Sequence, residues 1–203
     1  MTPILQTPTH TFYLRPAAPP DTPALNTMIS LSVRTLHTPF YSAAVIDSAM
    51  KYVYGVDSLL ISDGTYFLIS ATPLQSPNQN EEEIVAAGSY SFRSTLYGGD
   101  QFSARDPTEL DPGKDAARLR AMFVHPSFTG LGLAGVMLRR CEGEVRGRGF
   151  RRLEFGATYA GVGFYERAGY GRLEEEGVGG KGRCDKVMED GRVLELVKMG
   201  RTF

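Results

Sequence analysis

Apolar residues follow two periods along the chain, and each period predicts one kind of element. Helical spacing over residues 24–36 and 42–54 predicts two helices near the N-terminus, the second capped by Ser42. Aromatic and branched residues over 66–71 and 84–92 are typical of strands, and the polar stretch between them predicts a connecting loop. A strand pair is therefore expected after the two helices.

The second half of the chain alternates more regularly between the two periods. The predicted elements are, in order, a strand over 118–124, a helix from 133 to about 147, a strand over 152–157, a short helix over 161–168, and strands over 170–174 and 193–199. A front half rich in paired strands, joined to a strand-helix-strand unit, predicts an α/β (α+β) fold. We expect a mixed, mostly antiparallel sheet with helices on both faces.

Three stretches carry weaker patterns. Residues 1–10 are expected to be a loose lead-in to a single domain of residues 11–203, which opens with a short strand over 12–14. Residues 58–61 are apolar and predict either a short strand or a packed loop. Residues 93–117 form a long connection rich in Gly, Asp and Pro, and such connections are more often functional than idle.

Composition and charge narrow the functional classes. A chain of 203 residues can bury one core that needs no disulfides. Lys and Arg total 22 and Asp and Glu total 23, so the net charge of −1 argues against nucleic acid or an anionic membrane as partner. Cys141 and Cys184 lack the spacing of a metal site, and no metal is expected. No apolar run reaches membrane-spanning length, which favours a cytoplasmic protein.

One segment joins a predicted strand end to a predicted helix start through glycines. The strand stops at Pro126, because proline lacks the amide that would continue a ladder. The turn that follows contains Gly130 and Gly132, which keep side chains away from anything approaching the backbone. The helix that begins near Leu133 directs its free amides into this turn, an arrangement that binds phosphates. The alternative is that the glycines only make a tight connection.

A resemblance to a known superfamily accounts for this segment and for a second one downstream. Residues 124–134 (VHPSFTGLGLA), followed by 164–170 (FYERAGY), resemble the GCN5-related N-acetyltransferase (GNAT) superfamily. Its pyrophosphate loop has Arg or Gln, two variable residues, Gly, one variable residue and then Gly or Ala. Gly132 and Ala134 match this pattern, whereas Thr129 replaces the basic or amide side chain.

The resemblance implies how acetyl-CoA, or another acyl-CoA, would bind as co-substrate. It implies a central pair of parallel strands, 118–124 and 152–157, that splays apart and admits the pantetheine arm. The expected backbone partners of that arm are Met122, Phe123 and Val124. The diphosphate is expected to lie against backbone amides rather than basic side chains. The implied residues are Thr129, Gly130, Leu131, Gly132, Leu133, Ala134 and Gly135.

The resemblance also implies candidates for proton transfer and acceptor binding. Tyr165 stands where the superfamily commonly has a tyrosine that points at the CoA sulfur, and a phenol can return a proton to a leaving thiolate. Several members carry an acid where this chain has Arg118, so the base is sought elsewhere. Asp100, His37, Tyr41 and His125 remain as candidates, of which Asp100 is chosen, with ordered water as an alternative. His37 and Tyr41 border the region where relatives bind the acceptor.

Together these residues imply an acyl-CoA-dependent N-acyltransferase. The simplest reaction is direct transfer of acetyl from acetyl-CoA to a primary amine of a small molecule or peptide. Neither nucleic acid nor a membrane is an expected partner, and a monomer and a homodimer both fit. Thr129 and Arg118 favour an alternative, a CoA-binding sensor or interaction module without transferase activity. A further alternative is an enzyme of the same fold that uses another acyl-CoA.

Overall fold

A computed structural model of the chain describes residues 2–75, 82–102, 105–173 and 182–203. The strands are β1 (Leu5–Gln6), β2 (His10–Pro16), β3 (Tyr66–Pro73), β4 (Glu83–Ser91), β5 (Ala117–Val124), β6 (Arg152–Ala157), β7 (Gly171–Arg172), β8 (Lys186–Val187), β9 (Val193–Leu194) and β10 (Val197–Thr202). The helices are α1 (Thr22–Leu36), α2 (Ala43–Tyr52), α3 (Ser58–Ser62), α4 (Leu133–Gly147) and α5 (Tyr159–Arg167).

Eight of the strands form one sheet, in the order β1-β2-β3-β4-β5-β6-β10-β7. Its neighbours run antiparallel except for the central pair β5 and β6, which run parallel. Buried side chains of α4, such as Met137 and Cys141, belong to one hydrophobic cluster, and those of α1 and α2, such as Ile29 and Ile46, belong to another. The predicted mixed, mostly antiparallel sheet with helices on both faces is confirmed.

The parallel pair is short, and this shapes the centre of the molecule. Only Ala117 and Arg118 of β5 pair with β6, opposite Leu153 and Glu154. The rest of β5 continues beside β4, while β6 continues beside β10. The sheet therefore opens between β5 and β6 toward their carboxyl ends, as the superfamily resemblance implies.

The local signals around the first helices are mostly confirmed. The α1 and α2 helices occupy the predicted segments, and the Ser42 hydroxyl caps α2 by accepting the Val45 N–H at 3.3 Å. The expectation of a strand or loop over 58–61 is wrong, because these residues form α3. Asp57 starts that helix, since its carboxylate accepts the Leu59 N–H at 3.1 Å.

Short strands occur in two places where the sequence predicts loops. Within the expected lead-in, β1 pairs antiparallel with β2 at the sheet edge. Near the C-terminus, β8 forms in the segment expected to be a charged loop and pairs with β9, which is the first part of the strand expected over 193–199; β10 is the second part. Each strand has two residues, too few for an alternating pattern to register. Residues 174–181, which include the end of the strand expected over 170–174, lie outside the described residues.

The described helices also bear on membrane insertion. None of the helices in the described part of the chain is both long enough and apolar enough to cross a bilayer.

Candidate active site

A cavity of about 640 Å³ occupies the opening between β5 and β6. It extends from the turn before α4 to the end of α1 and the β9–β10 region. Most of the residues singled out by sequence line it: His37, Met122, Phe123, Val124, Thr129, Gly130, Gly132, Leu133, Ala134, Gly135 and Tyr165. Leu131, Asp100 and Tyr41 do not.

An irregularity in β5 turns the strand where the cavity begins. The register between β4 and β5 shifts between Ala87 and Ser89, and Ala121 on the opposite strand has a φ of 52°. A non-glycine residue in this left-handed region costs about 1–2 kcal/mol and is held there by the surrounding structure. The bulge and the early end of the β5–β6 pairing together produce the opening.

The register of β5 also decides which backbone groups face the opening. The His125 N–H donates to the Val85 carbonyl at 2.8 Å, and Val124 lies opposite Ala86. Because hydrogen-bonded and non-bonded pairs alternate in an antiparallel ladder, the backbone of Val124 is directed away from β4, whereas Met122 lies in the bulge and has no register partner on β4. The Phe123 backbone is directed toward β4, so this geometry does not favour the expected backbone contact of Phe123 with pantetheine, although the Phe123 side chain lines the cavity.

The turn before α4 presents a cluster of unpaired amides. Gly130 and Gly132 have φ values of 78° and 80°, where a side chain would be strained. Gly132 is the N-cap of α4 and no side chain caps the helix. The first backbone hydrogen bond of the helix runs from the Val136 N–H to the Gly132 carbonyl at 3.1 Å. The amides of residues 132–135 therefore remain available to an anion.

The first and third positions of this loop behave differently from the glycines. The Thr129 hydroxyl donates to the Pro126 carbonyl at 3.0 Å, so this side chain braces the loop instead of reaching into the cavity as a cation would. The Leu131 side chain is exposed and lies outside the cavity lining. Any role of Leu131 in binding therefore rests on its backbone.

Tyr165 lies on α5 at the wall of the cavity. It is 7% exposed and packs against Phe155 with ring centroids 4.4 Å apart. Burial raises the pKa of Tyr165 well above 10, so the phenol stays protonated at neutral pH. A protonated phenol beside a cavity can donate a proton to an anion that forms there.

Two of the sequence-predicted residues have structural roles instead. Asp100 accepts hydrogen bonds from the Ser58 N–H at 3.1 Å and the Ser58 hydroxyl at 2.8 Å, and it forms an ion pair with Arg105 at 2.9 Å. Its side chain is 44% exposed and does not line the cavity, so the geometry does not support Asp100 as the base.

Tyr41 holds three chain segments together. Its hydroxyl donates to the Glu195 carbonyl at 2.7 Å and accepts the Tyr159 N–H at 2.9 Å. Since both interactions are internal and Tyr41 is absent from the cavity lining, the geometry does not support a substrate contact.

His37 is the lining residue that best suits the role of a base that takes a proton from an amine. It is 7% exposed, lines the cavity, and its Nδ1 lies 3.5 Å from the Tyr54 hydroxyl. Burial lowers the pKa of His37 to about 4, so the imidazole is neutral at pH 7 and can accept a proton. Tyr54, which the sequence analysis did not single out, lines the cavity beside it.

The buried His37 predicts an acid-dependent loss of stability. An unfolded histidine titrates near pH 6.5, so between about pH 6.5 and pH 4 the unfolded chain takes up a proton that the folded chain does not. Relative to a His37→Asn variant, the wild type is therefore expected to lose up to about 3 kcal/mol of unfolding free energy as the pH falls through this window. Urea denaturation at several pH values measures the difference. A difference that stays flat from pH 7 to pH 4 would contradict the buried neutral imidazole.

A buried ion pair that sequence analysis missed forms part of the cavity wall. Arg120 of β5 and Asp57 are 4% and 5% exposed in their side chains, and Arg120 Nη2 lies 3.0 Å from Asp57 Oδ2. Arg120 also donates to the carbonyls of Thr95, at 3.1 Å, and Gly98. Burial lowers the pKa of Arg120, and the Asp57 carboxylate opposes that shift. Arg120 is the second arginine within the mainly apolar β5 and was the available signal, but its partner could not be read from the sequence.

Charges are few around the cavity. Among the described lining residues, only Asp57, Arg120 and Arg167 carry a formal charge at neutral pH. The described residues contain no group of three or more His, Cys, Asp or Glu that could hold a metal ion. The other polar groups of the described lining are backbone amides, hydroxyls, phenols and the neutral imidazole of His37.

Several solved structures resemble this chain in fold over nearly its whole length. A GCN5-related N-acetyltransferase from Rhodopseudomonas palustris has a TM-score of 0.61 at 18% identity, covering 94% of this chain and 95% of the other. The PaiA N-acetyltransferase from Thermoplasma acidophilum, in complex with coenzyme A, has a TM-score of 0.59 at 12% identity, with 95% and 99% covered. A ribosomal-protein-alanine N-acetyltransferase from Brucella melitensis has 0.52 at 17%, with 94% and 99% covered. At these identities the likeness concerns the fold.

Comparison of sequences gives the family. No curated protein matches the chain. The sequence model of the acetyltransferase (GNAT) family matches residues 32–170, which is more than half of the chain and includes β5, the amide-rich turn and α5. The chain therefore belongs to the acetyltransferase (GNAT) family.

Proposed function

We propose that the protein transfers an acyl group, acetyl in the first place, from its coenzyme A thioester to a primary amine by direct attack, in the cytoplasm. The observation that carries this proposal is the cavity itself. It joins an uncapped helix N-terminus, an open strand edge and a buried phenol in one continuous space. Each of these features suits one part of an acyl-CoA molecule.

The residues present fit coenzyme A. The amides of residues 132–135 and the adjoining glycines would hold the diphosphate, with no basic side chain required at Thr129. The backbone of Met122 and Val124 would pair with the amides of the pantetheine arm as a neighbouring strand does. Arg167, on the same wall, supplies a cation within the lining. The coenzyme A complex of the Thermoplasma PaiA enzyme supports this assignment by likeness of fold.

Proton transfer would fall to two side chains. When bound, acetyl-CoA supplies an acyl group activated as a thioester. The Tyr165 hydroxyl would donate its proton toward the leaving thiolate, and His37 Nδ1 or Nε2 would accept the proton that the amine gives up. The imidazole is uncharged at pH 7 and has a free lone pair, but its lowered pKa makes it a weak base, so the proton that it takes would be the one made acidic when the neutral amine attacks the thioester.

Direct transfer is favoured over a covalent intermediate. The described lining contains no cysteine or lysine. Cys141 is fully buried in the α4 packing, and burial raises the pKa of its thiol far above the usual range. The segment 96–98 of the long connection covers part of the cavity, which supports a small-molecule amine as the acceptor.

The proposal is tested by two measurements on the same protein. Calorimetry with coenzyme A measures binding, and thiol release from acetyl-CoA in a panel of primary amines measures transfer. We expect micromolar-range binding, on the order of 1–100 μM, and amine-dependent release. Binding of coenzyme A without thiol release in the presence of any amine of the panel would favour the sensor alternative. The observation that supports this alternative is the internal hydrogen bond of Thr129. Absence of binding would reject the coenzyme A assignment itself.

A glycine substitution tests the amide cluster. Gly132→Ala forces a side chain into a backbone with φ of 80°, although nothing lies within 4 Å of the added Cβ. We expect a loss of about 1–2 kcal/mol in stability. Because relief of that strain reorients the amides, coenzyme A binding should weaken about tenfold. Calorimetry and urea denaturation measure both effects.

Gly143 offers the matched control for this substitution. It also has open space at its Cβ position, lies within α4 and has no positive φ. Gly143→Ala should therefore stabilise the protein by about 0.5–1 kcal/mol and leave coenzyme A binding unchanged. Equal effects of the two substitutions on binding would contradict a special role for Gly132.

A further inference from the structure

The cavity has an acceptor end, which lies away from the amide-rich turn. We use this name for the part lined by Leu36, Phe40, Tyr54, Tyr97, Leu194 and Leu196 together with His37. These residues come from the end of α1, the segment after α2, the long connection and the β9–β10 region. If coenzyme A occupies the turn and the β5–β6 opening, this end is the space that remains for the amine.

The side chains at the acceptor end are mainly apolar or aromatic. Tyr54 packs edge to face on Phe123, with ring centroids 5.9 Å apart, and on His37 at 5.5 Å. Leu194 and Leu196 are 1% and 3% exposed, so the wall that they form is firmly packed. Phe40 is 50% exposed and stands at the rim. Such a lining stabilises an aromatic or branched apolar body by burial.

The charged groups near the acceptor end are already satisfied. Asp57 is the only carboxylate among the described lining residues, and it accepts from Arg120, Arg105 and the Leu59 N–H. Arg120 in turn is bound to Asp57 and to the carbonyls of Thr95 and Gly98. Neither residue is left to pair with a charge on a ligand. Burying a second ionic group there would be unfavourable.

We infer that the acceptor is a primary amine on an aromatic or branched apolar body without a second charged group, and that it enters as the neutral amine. This inference rests on the proposed function for the identity of the reaction. It excludes free amino acids, whose carboxylate would be unpaired because the remaining lining cation, Arg167, belongs to the coenzyme A site in the proposed function, and polyamines, whose second ammonium would be unpaired. His37 is then the polar group that meets the nitrogen.

Equilibrium binding to the protein saturated with coenzyme A tests the inference apart from catalysis. Two matched ligand pairs separate charge from shape: 2-phenylethylamine against phenylalanine, which adds a carboxylate, and pentylamine against cadaverine, which adds an ammonium. We expect the first member of each pair to bind at least about 30-fold more tightly. Between pH 6.5 and 8.5 the affinity of 2-phenylethylamine should rise about tenfold per pH unit. The other titratable groups there are two half-buried tyrosines with raised pKa values, His37, whose pKa is about 4, and Cys184 and Asp185 near Tyr97.

A substitution at the rim provides the reverse test. Leu36 is partly exposed at the end of α1, so Leu36→Glu adds a carboxylate without opening the packed wall. The variant should bind cadaverine more tightly than the wild type does, and Leu36→Gln, which has the same shape without charge, should not. Coenzyme A binding by both variants serves as the check on folding.

Each outcome decides the inference. Preference for the apolar amines supports it, and it does so even if thiol release is absent, in which case the transferase proposal fails alone. Equal or tighter binding of phenylalanine or cadaverine by the wild type overturns it. Failure of all four amines to bind overturns it as well, even where acetyl transfer to some other acceptor is found.

Discussion

Replacing Arg120 with methionine is expected to lower the free energy of unfolding by about 3–5 kcal/mol. The loss arises because the Asp57 carboxylate would remain 5% exposed with one of its two cationic partners gone. The carbonyls of Thr95 and Gly98 would lose their donor at the same time. Urea denaturation at pH 7 measures this effect.

Arg118 is the matched control for this prediction. It lies on the same strand and also forms an ion pair, with Glu154 at 3.1 Å, but both side chains are about one-fifth exposed, at 20% and 21%. Arg118→Met should therefore cost about 1 kcal/mol or less. In a double-mutant cycle, Asp57→Asn should recover part of the loss caused by Arg120→Met. Equal losses for the two arginine variants would show that burial of the pair does not set its contribution.

Replacing Tyr165 with phenylalanine is expected to reduce kcat for amine-dependent thiol release by about 10²–10⁴-fold. The substitution removes one hydroxyl that borders the cavity and leaves the ring packing against Phe155 in place. Coenzyme A affinity should stay within about a factor of three, since the diphosphate and pantetheine contacts proposed here are backbone groups. Steady-state kinetics with the best amine, together with calorimetry, measures both quantities.

Tyr170 separates catalysis from packing in this experiment. Its ring also packs on Phe155, at 5.3 Å, but its hydroxyl donates to Glu142 at 2.9 Å and it does not line the cavity. Tyr170→Phe should cost about 1–3 kcal/mol in stability, because a buried carboxylate oxygen loses its donor, while kcat is maintained. Tyr165→Phe is therefore expected to lose kcat, whereas Tyr170→Phe is expected to lose stability and keep its kcat. A large loss of kcat in Tyr170→Phe, with Tyr165→Phe unaffected, would reject the assigned proton donor.

The parts of the molecule that sequence predicted are those fixed by neighbours along the chain. Helical spacing located α1, α2 and α4, and Ser42 caps α2 because its partner is only three residues away. The glycines before α4 identified the amide-rich turn, since their backbone conformation is a local property. Short strands such as β8 escaped because two residues carry no period.

The parts that sequence did not predict depend on distant partners. The place of Asp100 in the long connection suggests a base, yet Ser58, 42 residues earlier, binds its carboxylate. The position of Tyr41 between the first two helices suggests an acceptor contact, yet its hydroxyl reaches Glu195, 154 residues later. The Asp57–Arg120 pair spans 63 residues. A pattern within one segment of the sequence cannot predict such pairings, so only the three-dimensional structure shows which residues line the acceptor end.

The hydroxyl of Tyr41 lies between the two parts of the proposed site, the part that binds the amine and the part that protonates the leaving thiolate. It joins the segment after α1 to the first turn of α5, the helix that carries Tyr165, and to the chain just before β10. The Tyr41 hydroxyl therefore fixes the start of α5 against the segment that carries Phe40 at the acceptor end, although Tyr41 itself does not line the cavity. Substitutions at the acceptor end, for example at Leu36 or Leu194, can then change which amine binds without moving Tyr165. The preferred amine can therefore change while the residue proposed to protonate the thiolate stays in place.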